Sequence, residues 1–261
     1  MDMSLQHGEN RPIWKPGPRV RGLARRALDL VLPPQALDHR GATLSGGLSA
    51  EAWGRVHFIS EPFCDGCGAP MEYETGDRCP LCLARPRAFA RARAACVYDE
   101  ASRDLILQFK HADRTDLSGL FATWIGRAAA DLLAEADAIT PAPLHPLRLL
   151  ARRFNQAAEI ARPLARRHGL VFLPEALKRV RRTESQAGKS AAGRRRNVAG
   201  AFASPPGQRR RIEGRRILII DDVLTTGATA EACARALLRA GARAVDLAVI
   251  ARVRETSPDT I

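Results

Sequence analysis

The sequence predicts an α/β protein, a mainly parallel sheet with helices on both faces, preceded by a small N-terminal cysteine module. Three observations carry that prediction. From about residue 90 onward, short β-like apolar runs alternate with longer stretches of helical periodicity, the pattern of successive βα units. The stretch ILIIDDVLTTGATA, residues 217–230, reads as a buried strand, a polar turn and the start of a helix; open α/β sheets place their sites at such carboxyl ends of strands. Ahead of that region, Cys64, Cys67, Cys79 and Cys82 form two CxxC pairs separated by eleven residues.

Residues 1–22, rich in Pro, Arg and Gly, read as a flexible arm. LARRALDLVL, residues 23–32, has a helical apolar stripe and is stopped by Pro33 and Pro34. Residues 35–62 carry no clear element, and the cysteines follow to about residue 85. The expected organisation is therefore the arm, a helix-and-ribbon module over 23–88 and an α/β domain over 89–255. Strands are expected at Ala94–Tyr98, Ala138–Pro141, Leu170–Leu173, Ile217–Ile220 and Ala244–Ile250. Helices are expected at Ser102–Lys110, Leu117–Ala136, Phe154–His168 and Thr229–Ala240, with Gly241 as the stop of the last.

Charge is distributed unevenly along this frame. The 261 residues hold 41 Lys or Arg against 28 Asp or Glu, a net charge of +13. Residues 178–216 alone carry thirteen basic residues and two acids, Glu184 and Glu213, punctuated by Gly188, Gly193, Gly200, Pro205, Pro206 and Gly207. An acidic partner, nucleic acid or a phosphorylated small molecule, is the natural complement. With 46% hydrophobic residues, neither wholesale disorder nor a fibrous repeat fits. No apolar run approaches the roughly 20 residues that span a bilayer, and MDMSLQHGENRP lacks the apolar segment of a secretory signal. Neither membrane insertion nor secretion is expected, and a cytoplasmic location is.

Two CxxC pairs suit a tetrahedral Zn(II) site, because each brings two thiolates to one side of a tight turn. Gly66, Gly68 and Pro80 supply the turn chemistry. Two disulfides or four unrelated thiols are the alternative, disfavoured where thiols are kept reduced. Four sulfur ligands leave no open coordination position, so the zinc would be structural. Cys96, in an apolar strand, and Cys233, on a helix, read as small buried thiols.

In the 217–230 stretch, backbone N–H groups from Thr225 to Thr229 lie at the positive end of the following helix and suit a phosphate. The Thr225, Thr226 and Thr229 hydroxyls add donors, and Gly227 permits close approach. Asp221 and Asp222 are too acidic to face phosphate and suit acceptor bonds to vicinal sugar hydroxyls. The plainer reading is a buried strand-turn-helix whose acids merely solvate the turn.

These residues resemble the phosphoribosyl pyrophosphate (PRPP) motif of type I phosphoribosyltransferases: an apolar strand, two acids, two apolar residues, then Thr225-Thr226-Gly227-Ala228-Thr229. PAPLHPLRLLARRFNQA, residues 141–157, and RVRRTESQAGKSAAGRRRNVAGAFA, residues 179–203, extend the resemblance to the ComF family, which joins a cysteine ribbon to such a domain, over about residues 23–253. The resemblance implies a sheet of the type I phosphoribosyltransferase kind. It also implies that Asp221 and Asp222 hold the ribose 2- and 3-hydroxyls, that Thr225–Thr229 wrap the 5-phosphate, and that Mg(II) accompanies PRPP. Leu144, His145 and Arg148 would lie on the pyrophosphate loop. Thr183, Gln186, Arg194, Arg195, Arg196 and Asn197 would lie on a flexible loop closing over the ligand, and Lys110 fills a family position. Plainer readings stand beside these: His145 packed between prolines, Arg148, Arg152 and Arg153 on a solvated helix face. Three adjacent guanidiniums at Arg194–Arg196 repel one another without an anion, which favours a ligand.

Two departures are visible. Where many family members carry an additional set of cysteines, this chain has Ala36, His39, Ser49 and Ala52, so that first set is degenerate and would be held by apolar contacts such as Trp53 and Phe58. Relatives often read RGFNQ where this chain has Arg152-Arg153-Phe154-Asn155-Gln156.

The resemblance implies a role in DNA uptake or utilisation during natural transformation, with single-stranded DNA as partner and a DNA-uptake helicase or recombination mediator as protein partner. Aromatic residues at 5% count against strong base stacking. The alternatives are an active phosphoribosyltransferase, for which no segment identifies a nucleobase pocket, and a regulator that senses PRPP. Nothing in the sequence sets the oligomeric state.

Overall fold

The computed structural model describes residues 47–72, 76–111, 116–144, 154–181 and 191–254. The expected arm, the 23–32 helix, Ala36, His39, Thr183 and Gln186 lie outside them. The chain divides into two compact units, Met1–Ser49 and Ala50–Ile261, and the elements below belong to the second.

A short helix α1 (Ala50–Arg55) and the cysteine segment, with helix α2 (Pro80–Ala84), lead into strand β1 (Ala92–Val97). There follow α3 (Glu100–His111), α4 (Leu117–Ala128), α5 (Ala130–Glu135), β2 (Ala138–Pro141), α6 (Gln156–His168) and β3 (Val171–Phe172). The basic segment contains β4 (Lys178–Arg179), α7 (Ala191–Val198), β5 (Phe202–Ala203) and α8 (Arg209–Ile212). The chain then forms β6 (Arg216–Leu224), α9 (Ala228–Arg239) and β7 (Ala244–Arg252). The main sheet runs β1-β7-β6-β2-β3, with every pairing parallel, while β4 and β5 form a separate antiparallel pair.

The fold class is as the sequence predicts. Ile217, Leu218, Ile219 and Ile220 are all fully buried at the sheet's centre, each burial worth about 1.5–3 kcal/mol. Alternation along the strand explains why four consecutive apolar residues are needed. Ile217 and Ile219 join Val245, Leu247 and Val249 against Cys233 and Leu237 of α9, whereas Leu218 and Ile220 point to the opposite face, where α4 and α6 pack. Asn155 caps α6 by accepting from the Ala157 amide at 3.1 Å, and Gly169, at φ 66°, ends it in the left-handed conformation. Cys96 and Cys233 are fully buried thiols, and burial pushes Cys96 up to about 12.

One helix expected over Leu117–Ala136 is two. Ala129 leaves helical geometry at φ −114°, ψ 28°, although the Ala129 amide still donates to Ile125 O and the Leu133 amide to Ala129 O, both at 2.9 Å. The apolar stripe Leu117, Phe121, Trp124, Ile125, Leu132 runs through the bend uninterrupted, so periodicity cannot announce it.

β1 is an edge strand of the main sheet, and the cysteine segment covers that edge. The Ile59 amide donates to Ala95 O at 3.0 Å, the Val97 amide to His57 O at 2.8 Å and the Ala92 amide to Asp65 O at 3.1 Å. Arg93 donates to Asp65 Oδ1 at 2.6 Å and Asp131 Oδ2 at 2.7 Å. Gly68, at φ 66°, lies so close that a Cβ would sit 3.1 Å from Ala92 O. Trp53 and Phe58 pack together, ring centroids 5.0 Å apart, with Phe58 edge-on to Trp124 at 4.9 Å.

Candidate functional site: a cysteine knuckle beside a strand-end cleft

The four cysteines of the two CxxC pairs converge, their Sγ atoms all within 4.8 Å of one another. A tetrahedral centre with Zn–S bonds of about 2.3 Å has sulfurs about 3.8 Å apart; the Cys67–Cys79 separation is 3.8 Å. Cys64, Cys67 and Cys82 are buried, packed with Ala69 and Met71. Gly66 lies close against the cluster: a Cβ there would stand 3.3 Å from Cys82 Sγ, so a larger residue would push that ligand by a few tenths of an ångström. The Cys67 thiol hydrogen-bonds to Cys64 and pulls it down to about 4 against the cost of burial, helped by the Cys79 amide donating to Cys64 Sγ at 3.2 Å. The same contact, with burial, pushes the Cys67 thiol up, and burial pushes Cys82 up, so a metal binding here would have to release those protons. All six cysteines are free thiols. The cluster can hold a metal ion such as zinc with all four ligands supplied by the protein, and among the described residues no second cluster of this kind occurs.

The second feature is a cleft of about 570 Å³ at the carboxyl ends of β2 and β6. It is lined by Asp221, Asp222 and the turn from Thr225 to Thr229, with Lys110, Leu144, Asn155 and Arg179. Two adjacent carboxylates are held by the backbone that carries them: the Asp222 amide donates to Asp221 Oδ1 at 2.9 Å, and the Val223 amide to Asp222 Oδ1 at 2.6 Å. Lys110 Nζ reaches from α3 to Asp222 Oδ2 at 2.7 Å. Burial first, and then the neighbouring Asp222 charge, push Asp221 up to about 7.

The turn is asymmetric in its hydrogen bonding. Arg252, on β7 and 1% exposed, donates to Leu224 O at 3.2 Å and Thr225 O at 2.7 Å. Arg87 donates to Thr226 O at 2.7 Å, and the Glu231 amide takes Gly227 O at 2.8 Å. Four successive carbonyls are thus drawn away, while the amides of Thr225, Thr226 and Gly227 find no acceptor among the described residues. Gly227 stands at φ 79°, directly before α9, whose first amides are unpaired as at any helix start. The turn can therefore take an anion on its backbone donors.

Lys110 and Leu144 join the Asp221–Thr229 group in the cleft, whereas His145, Arg148, Arg152 and Arg153 lie outside the described residues. Arg194, Arg195 and Arg196 fall on α7, Arg196 exposed. That helix is tied back by Arg181, which donates to Asn197 O at 3.1 Å and Ala199 O at 2.8 Å. Sequence reasoning missed Arg87, Arg252, Arg179 and Glu231. Only Arg252, an arginine closing the apolar run Leu247–Ala251, offered a signal.

The phosphoribosyl transferase domain family matches residues 156–260. Competence protein F of Haemophilus influenzae is 30% identical over 206 residues, 74% of this chain and 86% of that protein. DNA utilization protein YhgH of Escherichia coli K12 is 30% identical over 224 residues, 84% of this chain and 93% of that protein. Competence protein ComFC of Bacillus subtilis is 26% identical over 214 residues, covering 72% and 83% respectively. With the cysteine cluster, the strand-end cleft and these relatives together, the chain belongs to the ComF family, with a phosphoribosyl transferase domain in its C-terminal part.

Proposed function

We propose that this protein binds PRPP, or a closely related sugar phosphate, with Mg(II) in the strand-end cleft, and acts in the cytoplasm in DNA uptake or utilisation by binding single-stranded DNA. The observation that carries the ligand is the turn at 224–227, whose carbonyls are held from behind while its amides are left for an anion. In this reading the 5-phosphate would sit on Thr225–Thr229, the ribose hydroxyls would donate to Asp221 and Asp222, and Mg(II) would accompany the bound ligand and offset its pyrophosphate charge. Lys110 then exchanges its bond to Asp222 for the ligand. The DNA role is supported by the names of the relatives and by the thirteen basic residues between 178 and 216, whose exposed members Arg181, Arg196, Arg209, Arg210 and Arg211 can track phosphates. A metal in the cysteine knuckle is structural. Among the described residues no helix is long and apolar enough to cross a membrane.

A second reading, catalytic transfer, is favoured by the size of the cleft, which leaves room beside a sugar phosphate. The C1–N bond to a nitrogenous base would form as the C1–O bond to pyrophosphate breaks, with charge stabilisation doing most of the catalysis. A third use of the same site is sensing, in which PRPP alters DNA affinity and DNA alters PRPP affinity reciprocally.

One paired measurement tests these readings: Mg–PRPP binding, and single-stranded DNA binding at several salt concentrations, for wild type and the Asp221→Asn, Asp222→Asn double variant. Loss of PRPP binding with DNA binding retained is the expected result. Absence of PRPP binding in wild type would sink the ligand reading, and DNA binding indifferent to salt would sink phosphate tracking.

A further inference from the structure

The cysteine knuckle and the turn at the cleft are joined by one side chain. Arg87 leaves the chain five residues after Cys82, near enough that the Cys82 sulfur helps hold its guanidinium charged. The same guanidinium donates from Nη1 to Thr226 O at 2.7 Å and to Glu231 Oε1 at 3.1 Å. It is 9% exposed, and a Cβ at Gly227 would lie 3.0 Å from its Nη1, so it fills the space immediately behind the turn.

Glu231 makes this contact consequential. Its carboxylate is 2% exposed and sits one helical turn after Gly227, at the end of α9 that would receive an anion. Uncompensated, a buried negative charge there would oppose any phosphate. Arg87 and Arg85, both from the segment that leaves the knuckle, pair with it at 3.1 and 3.0 Å, and Arg235 completes the shell at 3.2 Å. The knuckle in turn is fixed to the edge of the sheet through Asp65, Gly68 and Arg93.

We infer that Arg87 is a positioning residue linking the metal knuckle to the cleft: it holds the Thr226 carbonyl back and neutralises Glu231 only while the Cys82 side of the knuckle is closed on its metal, so metal loading and phosphate-ligand binding are thermodynamically coupled. This rests on the reading of the 225–229 turn as a phosphate site. A zinc-bound Cys82 fixes the start of the five-residue tether, and release of the metal frees it. By linkage, the ligand must then raise the knuckle's affinity for zinc by the same factor.

The test compares full-length wild type loaded with zinc, wild type stripped by a chelator, and zinc-loaded Arg87→Met and Arg87→Lys. Mg–PRPP affinity is measured by calorimetry, and amide hydrogen exchange is followed in peptides covering residues 224–231. Arg87→Met is expected to keep its zinc, bind Mg–PRPP about tenfold more weakly and exchange faster over 224–231, with Arg87→Lys partly restoring both. Stripped wild type should behave like Arg87→Met, and stripping Arg87→Met should add little. Unchanged affinity and exchange in zinc-loaded Arg87→Met would overturn the proposal. Should zinc-loaded wild type not bind Mg–PRPP, the phosphate reading fails, and the exchange comparison alone decides whether Arg87 links knuckle and turn. Should stripping unfold the whole protein, the reciprocal arm decides it: Mg–PRPP should strengthen zinc retention against a competing chelator in wild type and not in Arg87→Met, and equal retention with and without Mg–PRPP in wild type would overturn the coupling.

Discussion

The cysteine knuckle and the cleft turn are both tight backbone turns that present several donors to one point, yet they are built in opposite ways. The knuckle takes its four ligands from residues 64–82 and brings them within 4.8 Å by local glycine and proline geometry. The cleft turn supplies its own amides but borrows the groups that orient them, Arg87 from 139 residues away and Arg252 from β7. A self-contained site fails when a ligand is removed. A site assembled from afar fails when a distant support is removed, even with every contacting residue intact.

The largest effect should come from the self-contained side. Cys64→Ser is expected to abolish stoichiometric zinc and to unravel the knuckle locally, since apparent binding energies of about 10–16 kcal/mol accompany structural zinc in small domains; metal analysis and exchange over 64–82 check this. A variant that keeps one zinc per chain would refute the four-sulfur assignment.

The borrowed supports come next. Arg252→Met leaves the carbonyls of Thr225 and Val253 without their donor, while Leu224 O keeps the Val253 amide at 3.0 Å. At about 1–3 kcal/mol per unsatisfied buried group, stability in urea should fall by several kcal/mol. If the loss is below about 1 kcal/mol, the buried arginine is not what holds the turn. Gly227→Ala is smaller. Forcing φ 79° on a residue with a Cβ costs about 1–2 kcal/mol, and the Cβ also crowds Arg87. An unfolding curve superimposable on wild type would show that the turn relaxes freely.

The cleft also titrates differently from the knuckle. Asp221 is raised from 3.8 to about 7, so the folded protein binds its proton more tightly than the unfolded chain does. This group's contribution is therefore present at low pH and is lost as pH rises from about 4 to about 7. Asp221→Asn should flatten that part of the stability profile; an unchanged slope would place the raised ionisation elsewhere. The smallest effect is expected at Arg196→Ala, exposed on α7: stability within about 0.5 kcal/mol of wild type, with a shallower salt dependence of single-stranded DNA binding.

The same contrast explains what the sequence disclosed. The knuckle was readable because its ligand spacing and turn residues are adjacent in the chain. The central strand was readable because ILII is apolar on both faces, and the parallel order followed from the alternation of elements. The Asp221–Thr229 stretch was readable as a unit for the same reason of adjacency. Arg87 and Glu231 were not, because nothing local distinguishes an arginine in ARPRAF or a glutamate in ATAEA from a solvated one. Their partnership exists only once α9 lies beside the segment leaving the knuckle. The bend at Ala129 was hidden because it preserves both the apolar stripe and the hydrogen bonds around it.

The covered edge of β1 also orders events on the ribosome. Residues 64–82 can close on a metal as soon as they emerge, but β1 has no partner until β7, at Ala244–Arg252, has been synthesised. Such long-range pairings form late. The knuckle can thus be finished before the strand it will cover belongs to a sheet, and its docking, together with the buried contacts of Arg252, is completed only once β7 has been translated.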